Sequence, residues 1–140
     1  MLHMMKLAVG IHDVAQLREV QANRLAREGR LRHLTRSFPR SAADIIDGGS
    51  MYWVIAGAMV VRQRICDIVA ARYEDGSTCA AIHLDPDLVA VAGRPTRPFQ
   101  GWRYLAADAA PPDIAASRGA DTLDDLPEAL RRDLRELGLL

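Results

Sequence analysis

The sequence predicts a single α+β domain in which a small mixed or mainly antiparallel sheet of about five strands is flanked by an N-terminal and a C-terminal helix. Three observations support this fold class. The 140 residues suffice for one domain (1–140) with a core of its own. A well-capped helical pattern lies near the N terminus. Farther along, β-branched and aromatic runs are separated by a turn signal, which is typical of paired strands.

The first elements are a strand and a capped helix. The segment "KLAVG" predicts a short buried strand that Gly10 closes. In "DVAQLREVQANRLAREG", Asp13 is a candidate N-cap with Gln16 at the third helical position, and Gly29 supplies the C-terminal stop. The apolar residues of this segment form a loose stripe, so we expect the helix to cover one face of the sheet.

A polar connector and a second, shorter helix come next. The stretch "RLRHLTRSFPR" has no regular apolar period, and we expect a solvated connector. The alternative is an anion-binding loop built on His33, Thr35 and Arg36. The segment "SAADIIDGG" then predicts a short helix, with Ser41 as the N-cap and a glycine pair as the C-terminal stop.

Strands occupy the middle of the chain. The run "MYWVIAG" is rich in aromatic and β-branched residues and predicts a buried strand. The run "AMVVRQRICDIVAARY" fits either a strand or a helical heptad. We interpret it as a long strand because "EDGST" supplies a turn and "CAAIHLD" a partner strand. We expect "LDPDLVAVAGRP" to leave this hairpin at Pro86 and to end in a short strand.

The C-terminal part predicts a tether and a final helix. Residues 106–120 are rich in Ala and Pro with little periodicity, which favours a surface tether. The helix that follows carries leucines on one face, which must pack on this domain's own sheet or on a partner chain. These leucines are Leu126, Leu130, Leu134 and Leu137.

The charge pattern is balanced overall and uneven along the chain. The formal net charge is zero, with 18 Lys and Arg against 18 Asp and Glu, which argues against strong long-range attraction to nucleic acid or to an anionic membrane. Residues 1–64 nevertheless carry ten basic against five acidic side chains, and residues 65–140 carry eight against thirteen. The basic excess is concentrated in residues 18–40, which would form a basic patch if these side chains share a face.

Several other classes of protein and site are disfavoured. Two cysteines without C-x-x-C spacing predict free thiols in a reducing compartment. The N terminus lacks the pattern of a signal peptide, and no run approaches the roughly 20 apolar residues of a membrane span. We therefore expect a cytoplasmic protein without a membrane partner.

No cofactor or metal is predicted either. His83, Asp85 and Asp87 alternate and could ligate a divalent metal on a continuous strand. Pro86 between them favours a structural turn instead. No G-x-S-x-G elbow or comparable context supports a nucleophile.

The stretch "RPTRPFQGWRYL", residues 94–105, combines three arginines with three aromatic residues and no acid. It could form a platform on which bases stack while guanidinium groups neutralise phosphates. The alternative is that Phe99 and Trp102 anchor the core while the arginines extend into solvent. The candidate ligand-binding residues, including neighbours from other segments, are Arg36, Arg62, Arg64, Arg97, Trp102, Arg103 and Tyr104.

The blocks "KLAVG", "DGGSMYWVIAG", "RQRICDI", "LDPDLV" and "FQGWRYL", in this order, resemble a bacterial family known as domain of unknown function 1489. The resemblance covers residues 6 to about 112 and leaves out the leucine-rich C-terminal helix. It implies no reaction and no catalytic residues that could be carried over to this chain. The strand order around "YWV" is also similar to small PUA-like β-barrels, several of which bind RNA or modified bases.

The sequence therefore favours a non-catalytic binding module for an anionic, aromatic-bearing ligand, with RNA as the leading candidate. A second hypothesis is a protein-interaction or homodimerisation module that uses the leucine face of the C-terminal helix. A third is a small enzyme of unknown reaction with a pocket near Trp53, His83 and Trp102.

Overall fold

The structure is a computed structural model that describes residues 1–114. In this part of the chain, eight strands and α-helices follow one another, and a 3-10 helix (Ala107–Ala109) comes after the last of them. The strands and α-helices are β1 (Leu2–Leu7), α1 (Val14–Glu28), β2 (Leu31–Thr35), α2 (Ala42–Ile46), β3 (Ser50–Ile55), β4 (Ala58–Arg72), β5 (Thr78–Pro95) and β6 (Trp102–Ala106). The predicted C-terminal helix, with Leu126, Leu130, Leu134 and Leu137, lies outside the described residues, as does the end of the predicted tether.

The six strands form one mixed sheet in the order β2-β5-β4-β3-β1-β6. Strands β1 and β3 pair in parallel, and the other neighbours are antiparallel. The predicted mixed sheet with an N-terminal flanking helix is thus confirmed, with one strand more than expected. The sheet is not closed into a barrel, so the PUA-like interpretation is not confirmed.

Helix α1 begins and ends where its sequence signals lie. The Asp13 side chain accepts a hydrogen bond from the backbone N–H of Gln16 at 2.7 Å, and the Gln16 side chain accepts one from the N–H of His12 at 2.7 Å. Gly29 ends the helix in the left-handed conformation with φ of 75°, where its N–H donates to the carbonyl oxygen of Leu25. Helix α2 begins after Ser41 as expected, although the Ser41 side chain makes no capping hydrogen bond.

The long central hairpin confirms that the ambiguous run after "MYWVIAG" is a strand. Strand β4 turns into β5 through a tight loop in which the N–H of Tyr73 donates to the carbonyl oxygen of Ser77 at 2.9 Å. The expectation that the chain leaves the hairpin at Pro86 is wrong, because β5 continues to Pro95. The pairing with β4 is instead irregular at this point, and Pro86, which has no N–H to donate, occupies the irregularity.

The polar stretch expected to be a connector contains strand β2. Residues 31–35 pair antiparallel with the first part of β5 and form one edge of the sheet. An edge strand has a neighbour on one side only and a largely solvated surface, so its sequence need not show a strong apolar alternation. The strand is therefore fixed by its pairing with β5 more than by its own residues.

The sheet carries a core on each face. Helices α1 and α2 cover the first face, where Val14, Leu17 and Ile45 pack against residues of five strands, among them Met51 and Trp53. The second face carries a smaller cluster that consists of Tyr52, Val54, Met59, Val91, Phe99 and Leu105. After β6, the chain returns to β5, where the carbonyl oxygen of Pro112 accepts a hydrogen bond from the N–H of Ala92 at 2.9 Å.

Two further observations concern the described residues. Neither helix in residues 1–114 combines the length and the apolar character needed to cross a membrane. Cys66, which is exposed, and Cys79, which is buried, are both free thiols, as the sequence predicted.

Candidate functional site

The arginine- and aromatic-rich stretch at β6 is divided between the two faces of the sheet. Trp102 and Tyr104 lie on the first face, with their rings edge-to-face at 4.9 Å, and the Tyr104 hydroxyl accepts a hydrogen bond from the N–H of Ser41. Arg103 lies on the second face, where its guanidinium stacks over the buried Phe99 ring at 5.0 Å. Phe99 therefore anchors the core, and Arg103 lies on the opposite face of the sheet from the half-buried Trp102 ring and the exposed Tyr104 ring.

The other predicted ligand-binding arginines are spread over the molecule. Arg62 lies on the second face and forms a bidentate ion pair with Asp113, with both N–O distances 2.6 Å. Arg64 and Arg97 are exposed, Arg64 on β4 and Arg97 in the loop before β6. Arg36 follows β2, at the opposite edge of the sheet from β6. A shared platform for all seven residues stays a prediction, and these positions do not favour it.

A different group of residues surrounds a cavity between α1 and the first face of the sheet. We call it the α1 cavity; its volume is about 230 Å³, and residues of the end of β1 and the start of β2 contribute to its lining. Apolar side chains such as Ile11, Leu17 and Leu31 form part of its wall. The polar and aromatic side chains that line it are Lys6, Gln21, Arg24, Arg32, His33 and Trp53.

Two of the three Lys and Arg side chains that line the α1 cavity, Lys6 and Arg32, lack a carboxylate partner within the described part of the chain. The ion pairs in residues 1–114 are a long contact of 4.0 Å between Arg24 and Glu28 and the pair of Arg62 with Asp113. Lys6 and Arg32 are half-buried, yet neither belongs to an ion pair there. Partial loss of hydration without a counter-charge is unfavourable for a cation, so the cavity is electrostatically suited to an anion.

His33 forms an aromatic wall of the cavity together with Trp53. The two rings meet edge-to-face, with their centroids 5.9 Å apart. Burial, followed by the positive charges of Lys6 and Arg24, lowers the pKa of His33 to about 4. The imidazole is therefore neutral at pH 7 and can both donate and accept a hydrogen bond.

The Gln21 side chain, which lines the cavity, belongs to a buried hydrogen-bond network with Gln63. The Gln63 side chain is fully buried; its Nε2 donates to Oε1 of Gln21 at 2.8 Å and to the carbonyl oxygen of Asp85 at 2.7 Å. Its Oε1 accepts from Nε2 of Gln21 at 2.9 Å and from the indole N–H of Trp53 at 3.1 Å. This network fixes the Trp53 ring and the Gln21 amide relative to each other.

An open groove lies along β2 and shares one lining residue with the α1 cavity. We call it the β2 groove; its volume is about 1090 Å³, and Arg32 lines both it and the cavity. Beyond Arg32 the groove is lined by Arg36, by Arg72 at the end of β4 and by the ring of Tyr73. Three carboxylates also line it, namely Glu28, Glu74 and Asp75. The cavity and the groove share Arg32, and each has further basic and aromatic side chains in its lining.

The sequence indicated part of this site. His33 and Arg36 belonged to the suggested anion-binding loop, and Trp53 belonged to the suggested enzyme pocket. Trp102 pairs with Lys6 in the neighbouring strand without lining the cavity, and His83 does not line it either. The roles of Lys6, Gln21, Arg24 and Arg32 were missed, although the basic excess of residues 18–40 was a signal for the two arginines.

The described residues provide no metal site. Residues 1–114 contain no group of three or more His, Cys, Asp or Glu side chains that could hold an ion. The Asp85 side chain instead accepts a hydrogen bond from the N–H of Asp87 at 2.9 Å, within the irregular part of β5 and not in the structural turn expected at Pro86.

Comparison with known proteins identifies a family. A family model described as "Protein of unknown function (DUF1489)" matches residues 4–140. The match confirms the resemblance noted in the sequence and extends it through the leucine-rich C-terminal segment. Comparisons with curated proteins and with solved structures gave no match.

Proposed function

The chain belongs to the DUF1489 family of proteins of unknown function, and we propose that it is a non-catalytic module that binds single-stranded RNA along the α1 cavity and the β2 groove. The observation that carries this proposal is the pair of half-buried cations, Lys6 and Arg32, that lack a carboxylate partner within residues 1–114. A phosphate group would supply the missing counter-charge, and the adjoining rings would supply contacts for bases.

The order of side chains along the edge supports a strand-shaped ligand. Arg32 stands where the cavity meets the groove, and Arg36 and Arg72 line the groove beyond it. Backbone phosphates in such a groove interact with guanidinium groups, while bases stack on aromatic rings. Tyr73 offers such a ring in the groove, and Trp53 and His33 offer two in the cavity.

The three groove carboxylates limit the expected affinity. Glu28, Glu74 and Asp75 reduce the positive potential that the arginines create. We therefore expect moderate, salt-sensitive binding that depends on a few local contacts. This agrees with the zero net charge of the chain.

The proposal is tested by measuring the affinity of the full chain for a short fluorescein-labelled single-stranded RNA at about 50 mM salt by anisotropy. The double variant Arg32→Gln/Arg36→Gln removes two phosphate contacts from exposed or half-buried positions. We expect it to bind at least tenfold more weakly, because each phosphate contact is worth several-fold at low salt.

The matched control is the double variant Arg64→Gln/Arg103→Gln. It removes the same total charge from exposed positions away from the cavity and groove. We expect it to bind within about threefold of the unmodified protein, an allowance for the change in net charge alone. Equal losses in the two double variants would contradict the proposal, and a larger loss in the control would favour the β6 platform instead.

A further inference from the structure

The Gln21 side chain in the lining of the α1 cavity carries polar atoms that constrain what can enter it. The Gln63 amide is saturated, because both of its hydrogens and both lone pairs of its oxygen have partners. Gln21 uses one N–H and one lone pair in the same network. Within residues 1–114 its second amide hydrogen and the second lone pair of its oxygen have no partner, and its exposure is only 8%.

An apolar ligand would therefore be a poor fit at the inner end of the cavity. A hydrocarbon ring against Gln21 would bury the remaining N–H and lone pair without hydrogen bonds, which is more costly than leaving them in water. A ring with a carbonyl or amino group satisfies one of them. The neutral imidazole of His33, on the adjoining wall, offers a further donor and acceptor.

The size and charge of the cavity restrict the ligand further. Its volume of about 230 Å³ falls just below the range of roughly 300–1,000 Å³ that is usual for drug-sized ligands. A single ring system fits better than a larger one. Lys6, Arg24 and Arg32 lie among its lining residues, so an anionic group attached to that ring would be bound at the same site.

We infer that the α1 cavity binds one nucleotide, with the base against Trp53, His33 and Gln21 and the phosphate near Lys6 and Arg32. The inference rests on the proposed function, which it makes more specific. The nucleotide can be free in solution or belong to an RNA strand, and within a strand it must be unstacked from its neighbours to enter.

The inference is tested by calorimetric titration of the unmodified chain with matched monophosphates. The ligands are uridine and adenosine 5′-monophosphate, a 5′-monophosphate whose base is replaced by phenyl, and ribose 5-phosphate. We expect the tighter natural nucleotide to bind about tenfold or more tightly than the phenyl analogue, because the phenyl ring leaves Gln21 unpaired. Ribose 5-phosphate should bind more weakly still, because it makes no ring contact.

The variant Gln21→Met tests the role of the amide directly. It should reduce the preference for the natural nucleotide over the phenyl analogue to about twofold or less, and circular dichroism checks that it folds. The variant also removes two hydrogen-bond partners of Gln63, which is the reason for the folding check. If it does not fold, the ligand series on the unmodified protein still tests the inference.

Four outcomes are distinguishable. A natural mononucleotide that binds tenfold more tightly than the phenyl analogue supports the inference for a free ligand. If mononucleotides bind weakly, the comparison is made with labelled RNA in which one nucleotide carries phenyl in place of its base. Binding of this RNA about tenfold more weakly than unmodified RNA supports the inference for a nucleotide within a strand. Equal affinity for the phenyl and natural forms in both series overturns the inference while leaving the proposed RNA binding intact. Absence of binding to every nucleotide and to RNA overturns both.

Discussion

Protonation of His33 should destabilise the fold, because the pKa of His33 is lowered from 6.5 to about 4 by burial and by the charges of Lys6 and Arg24. In the unfolded chain His33 takes up a proton as the pH falls through 6.5, whereas the folded chain stays neutral there until about pH 4. The contribution of His33 to stability is therefore complete above pH 6.5 and is lost progressively as the pH falls toward 4. With a pKa of 6.5 in the unfolded chain and about 4 in the folded chain, the free energy of unfolding should be about 2 kcal/mol lower at pH 5 than at pH 8.

The variant His33→Phe isolates this effect, because it keeps a ring beside Trp53 and removes the titrating group. Urea unfolding followed by tryptophan fluorescence, at pH 8 and pH 5 in phosphate-free buffer, gives the free energy of unfolding of both proteins. From pH 8 to pH 5, the free energy of unfolding of the unmodified protein should fall by about 1–2 kcal/mol more than that of the variant. Burial also lowers the pKa of His3, but that group is common to both proteins and cancels. The same loss in both proteins would refute the reasoning.

Two further variants test the packing of the fold, one in the hydrogen-bond network behind the cavity and one where α2 meets β1. Gln63→Leu should lower the free energy of unfolding by roughly 3 kcal/mol, because it leaves the buried Trp53 indole N–H and the Gln21 amide without their partner. Urea unfolding at pH 8 measures this change. A loss under about 1 kcal/mol would show that the hydrogen bonds of Gln63 do not stabilise the fold. Gly49→Ala should prevent stable folding, because a Cβ there would clash with the backbone carbonyl oxygen of Leu2. Thermal unfolding followed by circular dichroism measures this. A cooperative transition close to that of the unmodified protein would contradict the prediction and show that the backbone shifts to make room for the Cβ.

Local signals in the sequence were sufficient for α1 and for the central hairpin. Asp13 and Gly29 mark the ends of the helix, and each makes the hydrogen bond that its residue type favours there. The turn between β4 and β5 selected the strand interpretation over the helical one for a run that fits both. In these cases the residues that decide the structure are close together in sequence.

The edge strand and the Pro86 irregularity depend on partners distant in sequence. Strand β2 is defined by its pairing with β5, and its polar composition gives no independent signal. Pro86 stays within β5 because the pairing with β4 skips residues at this point. Neither feature could be predicted from local propensity.

The site was harder to predict than the fold, because its residues come from different elements. Lys6 lies on β1, Arg24 on α1, Arg32 on β2 and Trp53 on β3. The parallel pairing of β1 with β3 and the position of α1 over the first face bring Lys6, Arg24 and Trp53 together, whereas β2 is not a neighbour of β1 or β3 in the sheet. The stretch around Trp102 gave a stronger pattern in sequence, yet alternation along β6 sends Arg103 to the opposite face from its neighbours.

The most direct test of RNA binding at this edge is the salt dependence of affinity for single-stranded RNA, measured between about 50 and 200 mM salt. Four cations line the cavity and groove without an ion pair in residues 1–114, namely Lys6, Arg32, Arg36 and Arg72. Four phosphate contacts predict a slope of about −2.8 on a double-logarithmic plot, which is a roughly fiftyfold loss of affinity over this range.

The double variant Arg32→Gln/Arg36→Gln should bring that slope to about −1.4, because two of the four contacts remain. Arg64→Gln/Arg103→Gln should leave it near −2.8. A slope near zero for the unmodified protein, or the same slope in both double variants, would contradict RNA binding along the α1 cavity and the β2 groove.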